Sequence, residues 1–256
     1  MNNRKTYESS DVSSKYSAST YLHEPEKAIL HMLGAKLKKM KMLDIGVGGG
    51  RTSYHFLNSA KEYVGIDYSS KMIEACKKRF KNSNNASFIL CDAGDMSIFN
   101  DNCFDFILVS SNALDYVSNS HRIKALKEIK RVGKKNGYLL FSSHNLMSID
   151  RLLKIGFTMN PLKFAKSIAA RILLKTINPN FSKLKKKKYV IMNDGAHRFR
   201  LSTYYINPQE QVNQLKGIGF KVIDVLSSED GSKIKNSELK TTPKGVYHGL
   251  YYLCRL

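Results

Sequence analysis

The sequence predicts an α/β fold: a doubly wound, mostly parallel sheet of seven strands, with an antiparallel C-terminal edge strand and a basic helical insertion. Three observations predict it. Short apolar runs alternate with amphipathic stretches from Glu24 to Asn145, the rhythm of strands joined by crossover helices. Runs such as Phe106, Ile107, Leu108 and Val109 are apolar without interruption, as strands covered on both faces are. The rhythm then breaks after Asn145 and returns at Asn207.

Taken in order, Glu24 to Lys39 reads as a first helix, with Pro25 near its start and Ala28, Ile29, Met32 and Leu33 on one face. The strand KMLDIG follows and runs into a glycine-rich turn, Gly46 to Gly50. The next stretches read as helix RTSYHFLNSA, strand EYVGID, helix SSKMIEACKKRF, strand ASFILCD, strand FDFILVSS, helix HRIKALKEIKRVG and strand GYLLFSSH. At Asn207, Pro208 and Glu210, an N-cap, a first-turn proline and a capping-box acid open the helix PQEQVNQLKGIG. Two strands, FKVIDVL and GVYHGLYYLC, close the chain as an antiparallel edge. All 256 residues form one domain, longer than the usual single-core mode of about 100 to 150. Residues 1–23 are expected to be mobile.

Between the two regular parts, residues 146–201 form a basic insertion or lid; from Arg151 to Lys188 there are many cations and no Asp or Glu. Within it Leu162, Ala165, Ile168, Ala169, Ile172 and Leu173 share a helical stripe. The stripe either packs on the sheet beside a solvated basic loop or meets a membrane surface or polyanion. The formal net charge of +21 fits an anionic membrane face or a phosphate-bearing substrate, and equally a general lysine bias. Apolar runs are too short to cross a bilayer and the polar start lacks a signal-peptide centre. A cytoplasmic protein, with a peripheral position at the inner membrane face as a further option, is expected. Cys76, Cys91, Cys103 and Cys254 have no metal-ligand or disulfide spacing, so no metal is expected.

The chemistry lies after the first strand. Glycines there let the backbone turn tightly and approach a ligand, and the following helix offers its free N–H groups to an anionic ligand group. A dinucleotide site needs G-x-G-x-x-G, but Arg51 occupies the last glycine position. Asp67, about twenty residues beyond the first glycine, ends a strand where a carboxylate can accept from both ribose hydroxyls; a helix N-cap is the other reading.

Asp44, Gly46, Gly48 and Gly50, an acid followed by alternate glycines, resemble the first motif of the class I S-adenosylmethionine-dependent methyltransferases, which share a Rossmann-like fold. The resemblance covers Glu24 to Asn145 and the closing helix and strands. It implies S-adenosylmethionine as cofactor, its methionine portion held by those four residues and its ribose by Asp67 with Tyr68 alongside. It further implies that Asp92 receives the adenine amino group, with Ala93 offering its backbone. Met72 and Met96 would flank the adenine or belong to the core, and Ser110 would line the methionine end. More weakly, SSHN, NDGAHRFRLSTYYI and GLYYLCRL are similar to bacterial methyltransferases associated with surface-polysaccharide biosynthesis.

Ser110, Ser111, Asn112 and Ala113 replace the Asn-Pro-Pro-aromatic motif of nucleobase-amine methyltransferases, which makes nucleic acid the less favoured substrate. The preferred acceptor is a hydroxyl of a sugar or glycan precursor; an RNA methyltransferase and a non-catalytic cofactor-binding module are the alternatives. A hydroxyl acceptor needs a base. The candidates are His144 first, since imidazole is the side chain that ordinarily titrates nearest neutrality, then Asp115 beside Tyr116, and His197. Arg198 or Arg200 could clamp a phosphate, and Tyr16 and Tyr21 could cover the pocket.

Overall fold

The computed structural model describes Asn3, Thr6, Glu8 and residues 19–154, 159–178, 180–240 and 247–256. Most of the segment expected to be mobile, and Tyr16 with it, lies outside the described residues. Nine strands are present among them: β1 (Lys41–Ile45), β2 (Glu62–Asp67), β3 (Ala86–Leu90), β4 (Phe104–Val109), β5 (Gly133–Asn145), β6 (Tyr189–Met192), β7 (Thr203–Ile206), β8 (Lys221–Ser227) and β9 (Gly249–Arg255). They make one sheet. Its parallel part runs β3-β2-β1-β4-β5, so the strand order reverses at β1. Ligands of such sheets sit beyond the carboxyl ends at that reversal.

Two features differ from the expected seven strands with an antiparallel edge. The antiparallel strand β9 is interior, paired with Tyr138–His144 of β5 on one side and with β8 on the other. Its run GLYYLCR is buried over six residues, whereas β8 is exposed at alternate positions in its first half; the strand apolar on both faces takes the covered place. The second feature is the pair β6 and β7, joined antiparallel, with β7 lying parallel to the last two residues of β5.

Side-chain alternation along each strand divides the core into two layers. Leu43, Ile45, Ile107, Val109 and Phe141 face helices α4 (Asn119–Val132) and α8 (Pro208–Ile218). Met42, Tyr63, Phe106, Leu108 and Leu140 face α1 (Glu24–Leu33) and α3 (Ser70–Arg79). Pro25 and a His23–Glu26 capping box start α1, which stops at Leu33 before Gly34, at φ +46°; a 3-10 helix (Gly34–Lys39) then carries the chain to the predicted end. Ile29 and Leu33 are buried, while Ala28 and Met32 point outward. The stretch after the glycine turn yields only a short α2 (Ser53–Phe56). Asn207 and Pro208 start α8 as predicted, the Asn207 side chain accepting from Gln209 N; Glu210 faces Lys188 instead of completing a box.

The segment 146–201 holds a 3-10 helix (Leu146–Leu153), α5 (Pro161–Ile177), α6 (Phe181–Leu184), β6 and α7 (Ala196–Phe199). Leu146, Ile149, Phe181, Leu184, Val190 and Met192 form a small separate core together with Tyr205 of β7. Contrary to the packed reading of its apolar stripe, α5 buries Leu174 alone and exposes Leu162, Ile172 and Leu173.

Candidate active site

A cavity of about 990 Å³ opens at the carboxyl ends of β1, β2 and β4. Gly46 and Gly48, at φ +71° and +54°, carry the chain from β1 in a conformation that other residues adopt only under strain. A Cβ on Gly46 would stand 2.4 Å from the Cβ of Ala113 in the loop after β4, so the two loops meet edge to edge across the strand reversal. Gly50 serves packing: a Cβ there would reach Phe80 at 2.4 Å.

Asp67 closes the cavity at the end of β2. Its Oδ2 accepts from Gly48 N (3.0 Å) and its Oδ1 from Ser69 N (2.9 Å), which fixes the carboxylate and ties the glycine turn to it. Burial pushes its pKa up, against these backbone bonds. Asp92 Oδ1 accepts from Gly94 N (2.7 Å) and lies 2.6 Å from His121 Nε2. Tyr68, Met72, Ala93 and Ser110 also line the cavity.

A buried ionic cluster braces the rim between α1 and the glycine turn. Arg51 Nη1 and Nη2 donate to Glu26 Oε2 (2.6 Å) and Oε1 (2.7 Å), a bidentate pair. Glu26 also accepts from Tyr251 Oη (2.7 Å) and from Ser110 Oγ. Burial raises the Glu26 pKa, but Arg51 and Ser110 together hold it below the ordinary carboxylate value. Tyr21 lies over the Arg51 guanidinium at 5.1 Å and forms part of the cavity wall.

A second cavity of about 260 Å³ shares His23, Ser111 and Asn112 with the first and adds His144, Tyr205, Ser228, His248, Gly249 and Tyr251. Behind His144 stands Asp115, wholly buried. Asp115 Oδ2 accepts from His144 N (2.6 Å) and lies 2.9 Å from His144 Nδ1. A carboxylate only accepts, so Nδ1 bears a proton, and in the neutral imidazole Nε2 is then the acceptor. Arg122, also wholly buried, donates from Nε to Asp115 (3.2 Å) and from its two other nitrogens to Gln214, Gln211 and Ser143.

This arrangement agrees with what the chain is similar to. A family model described as a methyltransferase domain matches residues 36–214. The chain belongs to the class I methyltransferases. Among curated relatives, a demethylmenaquinone methyltransferase of Staphylococcus aureus is 31% identical over 120 residues, 44% of this chain and 46% of the relative. The chain spans about half the length of the curated relatives it matches first. An S-adenosylmethionine-dependent methyltransferase from Mesorhizobium loti shares the fold at TM-score 0.62 and 14% identity, over 91% of this chain and 98% of the other. The 1,6-didemethyltoxoflavin-N1-methyltransferase of Burkholderia thailandensis, solved with bound 1,6-didemethyltoxoflavin and S-adenosylhomocysteine, does so at 0.57 and 16%, over 91% and 76%.

In this class I methyltransferase the sequence-predicted residues divide by position. Gly46, Gly48, Asp67, Tyr68, Met72, Asp92, Ala93 and Ser110 line the larger cavity and His144 the smaller. Asp44, Gly50 and Met96 line neither: Met96 is core, and Asp44 lies beneath the turn, accepting from Thr52 Oγ1 (2.5 Å) and Tyr63 Oη (2.6 Å). Asp115 reaches the cavity only through His144. His197 lines neither cavity; it lies in a turn with three successive positive φ values at His197, Arg198 and Phe199. Glu26, Arg51, His121 and His248 were missed; of these, only Glu26 had a local sign, its place three residues into a helix start.

Burial pushes the Asp44 carboxyl up to about 6, against the bonds from Thr52 and Tyr63. The native state therefore holds this proton more tightly than the unfolded chain, and stability falls as pH rises from the ordinary 3.8 through about 6. A shift of this size corresponds to about 3 kcal/mol. Asp44→Asn should gain on the wild type by that amount across the window in urea unfolding; parallel curves would contradict it.

Proposed function

We propose that the protein transfers a methyl group from S-adenosylmethionine to a hydroxyl of a small acceptor, preferably a sugar or glycan precursor. The observation that carries this reading is the adjoining pair of cavities: one framed by the glycine turn and Asp67, the other holding a histidine oriented by a buried carboxylate. The larger cavity fits the cofactor. Gly46 and Gly48 line it with backbone at positive φ, which residues with side chains rarely adopt, and the Asp67 oxygens have lone pairs beyond those used by the backbone for ribose hydroxyls. Gly46, Gly48 and Ser110 would hold the methionine portion, Asp67 and Tyr68 the ribose, and Asp92, Ala93 and Met72 the adenine. When bound, the cofactor supplies an electrophilic methyl group on a sulfonium.

The chain's own residues then have three tasks. The smaller cavity positions the acceptor, its His23, Ser111, Asn112, Ser228 and His248 offering hydrogen bonds suited to a polyhydroxylated molecule. His144 Nε2 takes the hydroxyl proton, and Asp115 faces the imidazolium that results. Asp115 is a positioning residue, itself held by Arg122. Much of the remaining rate comes from aligning donor and acceptor.

Incubation with methyl-labelled S-adenosylmethionine and fractionated cell extract should place label in the small carbohydrate fraction. His144→Ala should lower that turnover by roughly 10²- to 10⁴-fold while S-adenosylhomocysteine affinity stays unchanged. Label in RNA alone would overturn the acceptor assignment; full turnover in His144→Ala would overturn the base.

A further inference from the structure

Helix α5 is amphipathic, but it is mounted with its apolar side outward. At 100° per residue, Ile172, Ala165, Ala169, Leu162, Leu173 and Ile177 span an arc of about 140°, and all six are exposed. Leu162 is 73% exposed and Ile172 59%. Over the C-terminal half the opposite side is anchored: Leu174 is buried, Asn178 Nδ2 donates to the carbonyls of Leu174 and Asn193, and Arg171 donates twice to the Lys154 carbonyl, while residues 161–166 are exposed all round. The orientation is therefore set by the protein and is not a loose end.

The charges around the arc complete the pattern. Lys166 falls inside it, between Leu173 and Ile177, with Lys163 and Lys175 beyond either flank, and none of the three has an acidic partner among the described residues. Lys183 within α6, and Lys186 and Lys187 after it, are also exposed. No Asp or Glu occurs from Arg151 to Lys188 to neutralise them. No described helix is long and apolar enough to cross a membrane, and at roughly 25 Å α5 has the length of an element that lies flat. We infer that α5 is a docking surface for an anionic lipid bilayer, its apolar arc entering the headgroup boundary and its lysines meeting the phosphates. A polyanion such as RNA would engage the lysines but leave the apolar arc in water.

Sedimentation with vesicles tests this on the full chain. The protein should pellet with vesicles of phosphatidylcholine and phosphatidylglycerol, remain in solution with phosphatidylcholine alone, and be released by added salt. Leu162→Glu combined with Ile172→Glu should weaken vesicle binding by about tenfold or more without changing Tm, since neither side chain is in the core. Lys163→Glu with Lys166→Glu should act on the anionic vesicles in the same direction. Equal binding to neutral vesicles, or unchanged binding by the Leu162/Ile172 double variant, would overturn the inference. So would a dimer that the double variant dissociates with no vesicle binding in the wild type, or binding to RNA with none to anionic vesicles.

Discussion

Asp115→Ala is expected to destabilise the protein by about 3–5 kcal/mol, the largest effect of any single substitution considered. The carboxylate accepts from Arg122 Nε, Ser143 Oγ, His144 N and His144 Nδ1. Its removal leaves the Arg122 guanidinium, fully enclosed beneath the sheet and lying over Phe141 and Tyr204 at 5.0 and 4.6 Å, without a counter-charge. The two glutamines that also accept from Arg122 satisfy its N–H groups but carry no charge. For a domain of this size the loss corresponds to a fall in Tm of roughly 6–20 °C. Combining Arg122→Met with Asp115→Ala should recover much of it, because the cost lies in the orphaned charge and not in the lost bond. A single Asp115→Ala variant within about 1 kcal/mol of wild type would show that water reaches this cluster.

Asp67→Ala is expected to weaken S-adenosylmethionine binding by roughly 10- to 100-fold, the scale of a lost charged hydrogen bond. The effect has two sources. The carboxylate would bind the ribose, and it also accepts from Gly48 N, so that its loss frees the turn that frames the methionine end. Asp67→Asn keeps an acceptor for Gly48 N but turns an amide donor toward Ser69 N, while removing the charge. Its affinity should fall between wild type and Asp67→Ala. Equal affinities for all three proteins would remove Asp67 from the site.

The parallel sheet and its glycine turn were legible in the sequence because their signals are local: apolar runs, caps and alternating glycines act within a few residues of themselves. The same holds for Asp67, whose place at a strand end follows from spacing alone. The interior position of β9 was not legible, since it depends on which edge of β5 remains unpaired once β4 is in place. Nor was the role of Arg122, which looks in the sequence like any helix cation; only tertiary contact with Asp115, Gln211 and Gln214 sets it apart. The stripe on α5 shows the limit most clearly. Its period identifies a helix, but the choice between inward and outward mounting rests on Arg171 and Leu174 holding the opposite side. Asp44 illustrates a subtler case: its spacing marks the turn correctly, yet the carboxylate braces the loop from beneath through Thr52 and Tyr63.

Calorimetric titration of the folded wild-type protein with S-adenosylhomocysteine reads out cofactor binding at the glycine turn and Asp67. One molecule should bind per chain, with an affinity that Asp67→Ala lowers by the factor given above. Absence of binding to the folded protein, or displacement of the ligand by a nicotinamide dinucleotide at the same site, would contradict it.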